Sequence, residues 1–231
     1  MPLEMSESEL YRGADLALEG LQSLFRSACS GLARRCSREG KLNSALLDEY
    51  QLPCYELAFV SAELMAASTA VEQARMGTQP LDKTLSLQYL AESVLAIRSR
   101  LEPLLSEFEL EEDAVDSVFM NPTIRKFVQY QNEPRMLNET GQEILLQHQN
   151  IGFVQLDEDK AMMQEAFQRM AMDTVAPRAE EIHRQDLTVP EDVLQPLRDM
   201  GVFGLSIPER FGGTAPNEGE DNLAMIVVTE A

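Results

Sequence analysis

Apolar residues recur at helical spacing along most of the first 150 positions. In residues 6–33 they stand three and four apart, which places them on one stripe of an amphipathic helix. A second pattern covers residues 43–76 with Pro53 inside it, and a proline bends or restarts a helix. A third covers residues 82–105 and ends or bends near Pro103. The first two stripes hold Leu10, Ala14, Ala17, Leu21, Leu24 and Ala28, and Leu47, Tyr50, Leu57, Val60, Leu64, Ala67 and Val71.

Polar segments with glycine or proline interrupt these patterns and predict loops. We expect loops at residues 77–80, 132–134 and 138–141, and a short helix that starts at the Asn-Pro pair 121–122. No stretch shows a convincing alternation of apolar and polar residues, as a half-buried strand would. The sequence therefore predicts an all-α fold.

A second helical region begins near Asp157, whose side chain can cap the first helix of that region. The Val-Ala-Pro segment at residues 175–177 should end or bend this helix, and another apolar helix begins at Leu223. Residues 151–157 resemble a linker. We therefore predict a helical region over residues 1–150 and a smaller helical domain over residues 151–231. The inward face of its first helix would hold Met163, Phe167, Met170 and Thr174.

Residues 188–213 carry the most specific succession of structural signals. Thr188 and Glu191 have the spacing of a capping box and predict a helix start. Gly201 can adopt the left-handed conformation that closes a helix. Further on, Pro208 favours an extended residue before it, and the Gly-Gly pair at 212–213 permits a tight turn or a close backbone approach. The segment predicts a short helix, a glycine stop, an apolar step and a tight turn.

These residues resemble the N-terminal helical domain of the acyl-CoA dehydrogenase family. The resemblance is densest over residues 200–213, which read Met-Gly-Val-Phe-Gly-Leu-Ser-Ile-Pro-Glu-Arg-Phe-Gly-Gly, and extends over about residues 157–231. It implies that the chain is the N-terminal part of an FAD-dependent enzyme that oxidises an acyl-CoA thioester. The helices of this domain would form one wall of the site for flavin and acyl chain.

The same resemblance places the flavin-binding residues and the catalytic glutamate in later domains, beyond Ala231. We therefore assign no catalytic, cofactor-binding or metal-ligating residue in this chain. The last apolar helix has no capping residue, and we expect the domain to be incomplete there. By itself the chain should neither bind FAD tightly nor oxidise an acyl-CoA. In the complete protein the partners would be the acyl-CoA, an electron-transfer acceptor and further copies of the same chain.

Residues 1–150 lie outside the architecture common to the family. A long helical extension before this domain resembles the methylsuccinyl-CoA dehydrogenases and their relatives, which makes methylsuccinyl-CoA a candidate substrate. Residues 51–67 also resemble a diverged helix of the family's C-terminal bundle, although Pro53 interrupts that likeness. The extension could cover the site entrance, favour an oligomer or stabilise the fold.

The chain is strongly acidic, with a formal net charge of −20. Residues 1–150 contain 13 basic and 23 acidic side chains, and residues 151–231 contain 6 and 16, so each part has a net charge of −10. Such a surface argues against nucleic acid or an anionic membrane as a partner. The charge is spread over both parts and is not concentrated in a tail.

The few thiols and imidazoles suggest no reactive or metal site. Three cysteines (Cys29, Cys36 and Cys54) form no CxxC pair and leave an odd thiol, which disfavours a disulfide framework. Only His148 and His183 are available as imidazole ligands, too few for a dedicated zinc site. We see no secretory signal and no run of the roughly 18 to 20 apolar residues that span a bilayer. We expect a cytoplasmic protein.

Two features leave alternatives open. Seven acids and no base lie within residues 102–116, which suits either a docking surface for a basic partner or, as we favour, a solvated helix start. The sequence also lacks nucleotide-binding loops and catalytic motifs. The whole chain could therefore be a non-catalytic helical module for interaction or oligomerisation, derived from the dehydrogenase fold.

Overall fold

In the computed structural model, residues 4–77, 79–147, 156–218 and 222–231 are described. The chain divides into two compact units, Met1–Phe153 and Val154–Ala231. The predicted linker at residues 151–157 lies mostly outside the described residues. About 80% of the chain is helical, so the all-α prediction is confirmed. Strands β1 (Ser37–Arg38) and β2 (Lys41–Leu42) form a two-residue antiparallel hairpin.

The first unit is built around its longest helix. This helix, α1, begins after Ser6, whose hydroxyl accepts from the Glu9 backbone N–H while the Glu9 carboxylate accepts from the Ser6 N–H. The helices that follow are shorter and pack around it. In order they are α1 (Glu7–Arg35), α2 (Ser44–Glu49), α3 (Gln51–Met76), α4 (Pro80–Leu101), α5 (Leu105–Phe108), α6 (Glu112–Phe119), α7 (Pro122–Gln131) and α8 (Pro134–Leu146).

The core of this unit lies where α1, α3 and α4 meet, and α5, α6 and α7 close it from the side. The predicted stripes point into this core: five of the six α1 residues and the α3 residues from Leu57 to Val71 are buried. The exceptions are Leu10 and Tyr50, which are partly buried, and Leu47, which is exposed. The fully buried large side chains include Leu21, Val60, Leu90, Ile97, Phe108 and Phe127.

Two predicted proline boundaries are confirmed, and one predicted loop is wrong. The 43–76 pattern is two helices that join at Tyr50, and Pro53 occupies the first turn of α3, where a missing N–H costs nothing. Helix α4 ends at Leu101, two residues before Pro103. The predicted loop at 138–141 is wrong, since these residues lie inside α8. There the Thr140 hydroxyl donates to the Met136 carbonyl and accepts from the buried Gln88 amide, both at 2.9 Å.

The acidic segment 102–116 has the structure of a helix start. Glu112 and Asp113 occupy the first turn of α6, at the positive end of its dipole. Three earlier acids form ion pairs with arginines: Glu102 with Arg98, Glu107 with Arg35, and Glu109 with both Arg34 and Arg35. The segment is therefore partly neutralised within the fold, which supports the interpretation as a solvated helix start.

Helix α3 is apolar on more than its buried side. Among the described residues, α3 has the length and the apolar composition that would allow a helix to cross a membrane. The sequence inspection had not recognised this property. Only 28% of its most apolar window is buried in this structure. Core helices of soluble proteins meet the same criteria of length and composition, so this finding alone does not distinguish a core helix from a membrane-spanning helix.

Candidate functional site

The second unit contains four α-helices among its described residues: α9 (Glu158–Met170), α10 (Ala176–Gln185), α11 (Glu191–Asp199) and α12 (Asn222–Glu230). Asp157 caps α9 as predicted, since its Oδ1 accepts from the Lys160 backbone N–H at 2.8 Å. This bond and the Lys160 ammonium lower the pKa of Asp157. Of the predicted inward face, Phe167 is buried, and Met163, Met170 and Thr174 are partly buried.

The predicted break at residues 175–177 takes the form of a single π-helical turn. This turn, Ala171–Val175, joins α9 to α10, and Pro177 stands in the first turn of α10. A proline at this place cannot donate to the carbonyl of the preceding turn, and the wider turn is one way to accommodate the lost bond. The helix therefore continues from α9 into α10, but the spacing of its backbone hydrogen bonds changes at this turn.

The predicted capping box is wrong. Helix α11 begins at Glu191 after Pro190, which is extended (φ −74°, ψ 155°), and the Thr188 side chain makes no cap. The fixed φ of Pro190 suits the residue before a helix, so the helix starts two residues later than predicted. The Glu191 carboxylate instead pairs with the Arg198 guanidinium about two turns further along the same helix.

The glycine stop after α11 is confirmed. Gly201 has φ 78°, in the left-handed region, and its N–H donates to the Arg198 carbonyl at 2.9 Å. Residues 201–217 then form a folded loop with two short 3-10 turns, Val202–Gly204 and Glu209–Phe211. We call this segment the 201–217 loop.

Backbone hydrogen bonds across the 201–217 loop hold its two halves together. The Thr214 N–H donates to the Gly204 carbonyl at 2.9 Å, and the Ala215 N–H donates to the Ile207 carbonyl at 3.0 Å. Such an approach requires a residue without a side chain, because a Cβ on Gly213 would lie 1.9 Å from the Ile207 oxygen. The predicted role of the Gly-Gly pair in a close approach is therefore confirmed.

A side-chain clamp closes the far end of the loop. The Asn217 Oδ1 accepts from the Arg210 backbone N–H at 2.8 Å, and its Nδ2 donates to the Glu209 carboxylate at 3.1 Å. The Arg210 guanidinium in turn donates to the Asn217 carbonyl at 3.0 Å. Sequence inspection missed Asn217, although an asparagine near two glycines is a signal of a side chain that bonds to the local backbone.

This hydrogen-bonded loop exposes large apolar side chains. Phe203, Ile207 and Phe211 are 56%, 41% and 71% exposed, and the Arg210 guanidinium carbon lies 5.0 Å from the centre of the Phe211 ring. Large exposed apolar side chains mark a surface that another group covers where they form one contiguous patch. The loop can thus present an apolar wall and carries no acid–base pair of its own.

Comparison with known proteins agrees with the resemblance seen in the sequence. Residues 157–231 match the family model of the "Acyl-CoA dehydrogenase, N-terminal domain". The chain is 29% identical over 236 aligned positions to (2S)-methylsuccinyl-CoA dehydrogenase of Cereibacter sphaeroides, an alignment that covers 96% of this chain and 41% of that relative. The resemblance to the acyl-CoA dehydrogenase family is confirmed. The chain spans about two fifths of the length of the curated relative it matches.

Within this acyl-CoA dehydrogenase-like unit, the cations offer no free site for the diphosphate of FAD. The six basic side chains between residues 156 and 218 all have partners. Five form ion pairs and Arg210 bonds within the loop. The five pairs are Lys160–Asp157, Arg169–Glu165, Arg178–Asp192, Arg184–Glu180 and Arg198–Glu191. The described residues therefore fit an apolar wall and do not fit a flavin cradle.

The remaining candidate groups belong to other segments of the sequence. His183 is exposed on α10, and His148 lies outside the described residues. Cys29, Cys36 and Cys54 belong to the first unit, where burial raises the pKa of Cys29 and Cys36 and so keeps these thiols protonated. In the part of the chain that the structure describes, no three histidine, cysteine or acidic side chains are grouped to hold a metal ion. The absence of assigned catalytic residues stays a prediction.

Proposed function

We propose that this chain forms the N-terminal portion of an FAD-dependent acyl-CoA dehydrogenase. In this proposal the 201–217 loop supplies one wall of the site where the acyl chain lies. The observation that carries it is a hydrogen-bonded loop with three exposed apolar side chains, within the segment that matches the family. The residues that would hold FAD and abstract the substrate proton lie elsewhere in the longer protein.

The contribution of such a wall is to exclude water and to orient the acyl chain. Covering an apolar side chain that is about half exposed is worth roughly 1 kcal/mol, so Phe203, Ile207 and Phe211 together supply about 3 kcal/mol of binding. A dry wall also strengthens electrostatic interactions with the reacting groups. Both effects need a fixed loop, which the glycine approach and the Asn217 clamp provide.

The finer assignments rest on the relative. Its printed name motivates (2S)-methylsuccinyl-CoA as the substrate, and its alignment with this chain includes the helical first unit. We further propose an electron-transfer acceptor and a homo-oligomer for the complete protein, as the family implies. The free cysteines are consistent with the reducing environment of the cytoplasm, where we propose that the protein acts.

The reading frame downstream of Ala231 is the first test. An open frame that encodes a β-rich stretch and a further helical domain supports the proposal. A stop codon directly after Ala231, together with a chain that takes up no flavin, contradicts it and leaves the non-catalytic module. With the open frame, the expressed product should be yellow, and an acyl-CoA substrate should bleach its flavin band.

The wall itself is tested by variants of the flavin-loaded protein. Phe203→Ala and Phe211→Ala should each raise KM for the acyl-CoA about fivefold, which corresponds to about 1 kcal/mol of lost binding. Met162→Ala is the matched control, since Met162 is 58% exposed on α9 and outside the loop. Equal KM values for the loop variants and the control would refute the role of the loop.

A second candidate function, a helical module for interaction or oligomerisation, is favoured by one observation. Helix α3 exposes large side chains such as Leu52 and Tyr55, and these lie far along the chain from the 201–217 loop. An interaction surface on the first unit is compatible with either function, because it needs no catalytic group.

A further inference from the structure

Two of the three cysteines meet where α1 ends and α3 begins. Cys36 is the residue that caps the C-terminal end of α1, and Cys54 is the fourth residue of α3. Their two thiols share a hydrogen bond. Because the two positions are 18 residues apart in the sequence, it is the fold that brings them together. We call Cys36 and Cys54 the thiol pair.

Contacts that do not involve sulfur hold the same two helix ends together. The guanidinium of Arg35, the residue before Cys36, donates to the Tyr50 hydroxyl at 3.5 Å. The Tyr50 carbonyl in turn accepts from the Cys54 backbone N–H at 3.0 Å, and the Cys36 carbonyl accepts from the Asn43 N–H at 2.9 Å. The proximity of the thiols therefore follows from how the backbone is fixed on both sides of the pair.

The two thiols differ in their access to solvent. Cys36 is 1% exposed and belongs to the core, whereas Cys54 is partly buried and packs against that core from outside. Burial, together with the neighbouring Cys54, raises the pKa of Cys36 and keeps its thiol protonated. A reagent in solution therefore reaches Cys54 first, and Cys36 is placed to react with Cys54. An accessible thiol next to a second one that resolves it is the usual arrangement of a redox-sensitive pair.

The chain between the thiols can adjust to a bond between them. A disulfide needs its sulfur atoms about 2 Å apart, which is shorter than a hydrogen-bonded contact by roughly 1 to 2 Å. The connecting residues 37–49, all of which the structure describes, form the β1–β2 hairpin and α2, and none of them is buried. Since this connector contributes no buried residue, it can move by such a distance without disturbing the core.

The third cysteine is too far away to compete. Cys29 lies seven residues before Cys36, which is about two turns or 10 Å along α1. Two cysteines whose Cα atoms are more than about 7 Å apart cannot be bridged without movement of the backbone. The odd thiol that disfavoured a disulfide framework in the sequence is therefore Cys29, and one adjacent pair remains.

We propose that the thiol pair is a redox-sensitive site at which a small disulfide, such as oxidised glutathione, forms a reversible bond between Cys36 and Cys54. The structure contains the reduced form, with free cysteines. The inference concerns the first unit alone and does not depend on the dehydrogenase function.

The reaction takes place in two exchange steps. The Cys54 thiolate attacks one sulfur of oxidised glutathione, so that a mixed disulfide forms and one glutathione thiolate leaves. Cys36 then loses its proton to solvent and attacks the Cys54 sulfur, which forms the Cys36–Cys54 bond and releases the second glutathione thiolate. The two protein thiols lose two electrons and two protons, and the glutathione disulfide gains them as two thiols.

The expected consequence is a covalent link between the end of α1 and the start of α3. The bond closes the connector into a ring, which restricts the unfolded chain more than the folded one. For a ring of this length in a unit of this size, the melting temperature should rise by roughly 6 to 12 °C on oxidation. Dithiothreitol should reverse the rise.

Alkylation and mass spectrometry of the 231-residue chain test the bond. The reduced chain is equilibrated with oxidised glutathione in dilute solution, unfolded in acid and alkylated. We expect a monomer that has lost two hydrogen atoms, one alkylated thiol at Cys29, and a peptide pair linked through Cys36 and Cys54. Thiols that only fill space would stay reduced. Three alkylated thiols, a product that stops at a glutathione adduct of Cys54, or a bond to Cys29 overturns the proposal.

Two alanine variants make the test specific. Cys54→Ala should abolish both the internal bond and the rise in melting temperature, while it leaves the buried Cys36 in the core. Cys29→Ala is the matched control, because Cys29 is also partly buried, and it should retain both effects. Circular dichroism under reducing conditions verifies that both variants fold. Equal responses of the two variants to oxidised glutathione, or a bond that leaves the melting temperature unchanged or lower, contradict the proposal.

Discussion

Adding one methyl group at Gly213 should open the 201–217 loop. In the structure a Cβ on Gly213 would lie 1.9 Å from the Ile207 oxygen and 2.5 Å from the Ile207 Cβ. Real Cβ atoms essentially never come within 3.0 Å of such atoms, so Gly213→Ala must move the two backbone segments apart by about 1 Å. Both contacts involve backbone or Cβ atoms, which cannot rotate away as the end of a flexible side chain can.

The cost follows from the hydrogen bonds that this movement breaks. The Ala215 N–H to Ile207 carbonyl bond is 3.0 Å long, and the Gly213 N–H to Pro208 carbonyl bond is 3.3 Å. A further 1 Å takes both beyond hydrogen-bond length. At about 1 kcal/mol each, the free energy of unfolding of the loop should fall by about 2 kcal/mol. For a unit of this size, that corresponds to a melting temperature lower by roughly 8 to 16 °C.

Hydrogen exchange followed by mass spectrometry measures the loss of stability of the loop separately from the rest of the protein. Peptides that cover residues 204–217 should exchange about 30-fold faster in Gly213→Ala, while peptides of α1 stay unchanged. Gly141→Ala is the control, because nothing lies within 4 Å of its added Cβ, inside α8. That control should be neutral or slightly stabilising, since alanine is the better helix former. Wild-type protection of the loop in Gly213→Ala would refute the close-approach argument.

Three further predictions concern single contacts. Gly201→Val should lower the free energy of unfolding of the second unit by about 2 kcal/mol in urea, because a β-branched residue is strained at φ 78°; an unchanged midpoint would contradict it. Thr140→Val should lower the free energy of unfolding by about 1 to 3 kcal/mol, because it leaves the buried Gln88 amide unpaired. The control Thr84→Val, which removes an exposed hydroxyl, should lower it by under about 0.5 kcal/mol. Equal effects of the two substitutions would contradict this prediction. The Glu9 carboxyl should titrate by NMR near its pKa of about 2, because the Ser6 N–H and Lys126 favour its ionised form. The contribution of ionised Glu9 to the free energy of unfolding should be complete above pH 4.5 and should disappear as the pH falls through 2. A titration midpoint of Glu9 near pH 4.5 would show that the capping box is absent in solution.

Periodicity predicted the helices well because burial selects apolar residues at helical spacing. The stripes of α1 and α3 named from the sequence are mostly the buried ones, and Asp157 and Gly201 act at the helix ends as their chemistry suggests. Loops signalled only by composition were less reliable. Residues 138–141 look like a loop because Asn, Thr and Gly favour turns, but the Thr140 hydroxyl finds partners within α8 and with Gln88, and packing outweighs the local preference.

The start of α11 was predicted wrongly, whereas the stop after it was predicted correctly, for a physical reason. A glycine stop depends on one residue's φ, which is a local property, and Gly201 adopts it. A capping box depends on which of several polar residues the chain places before the helix, and at Thr188 the nearby Pro190 decides the start instead. The clamp of Asn217 on Glu209 and Arg210 needs a folded loop before any of its bonds exist, so sequence spacing alone did not reveal it.

The two faces of α3 show how far helical spacing alone identifies the buried side of a helix. The sequence interpretation selected Leu57, Val60 and Leu64 as the inward stripe, although the same helical spacing also fits Leu52, Tyr55 and Phe59. Only the packing of α1 and α4 settles that the first set is inside. The second set is left exposed in this unit. Apolar side chains are common on protein surfaces, so periodicity alone separates the buried from the exposed set only when neighbouring helices are known.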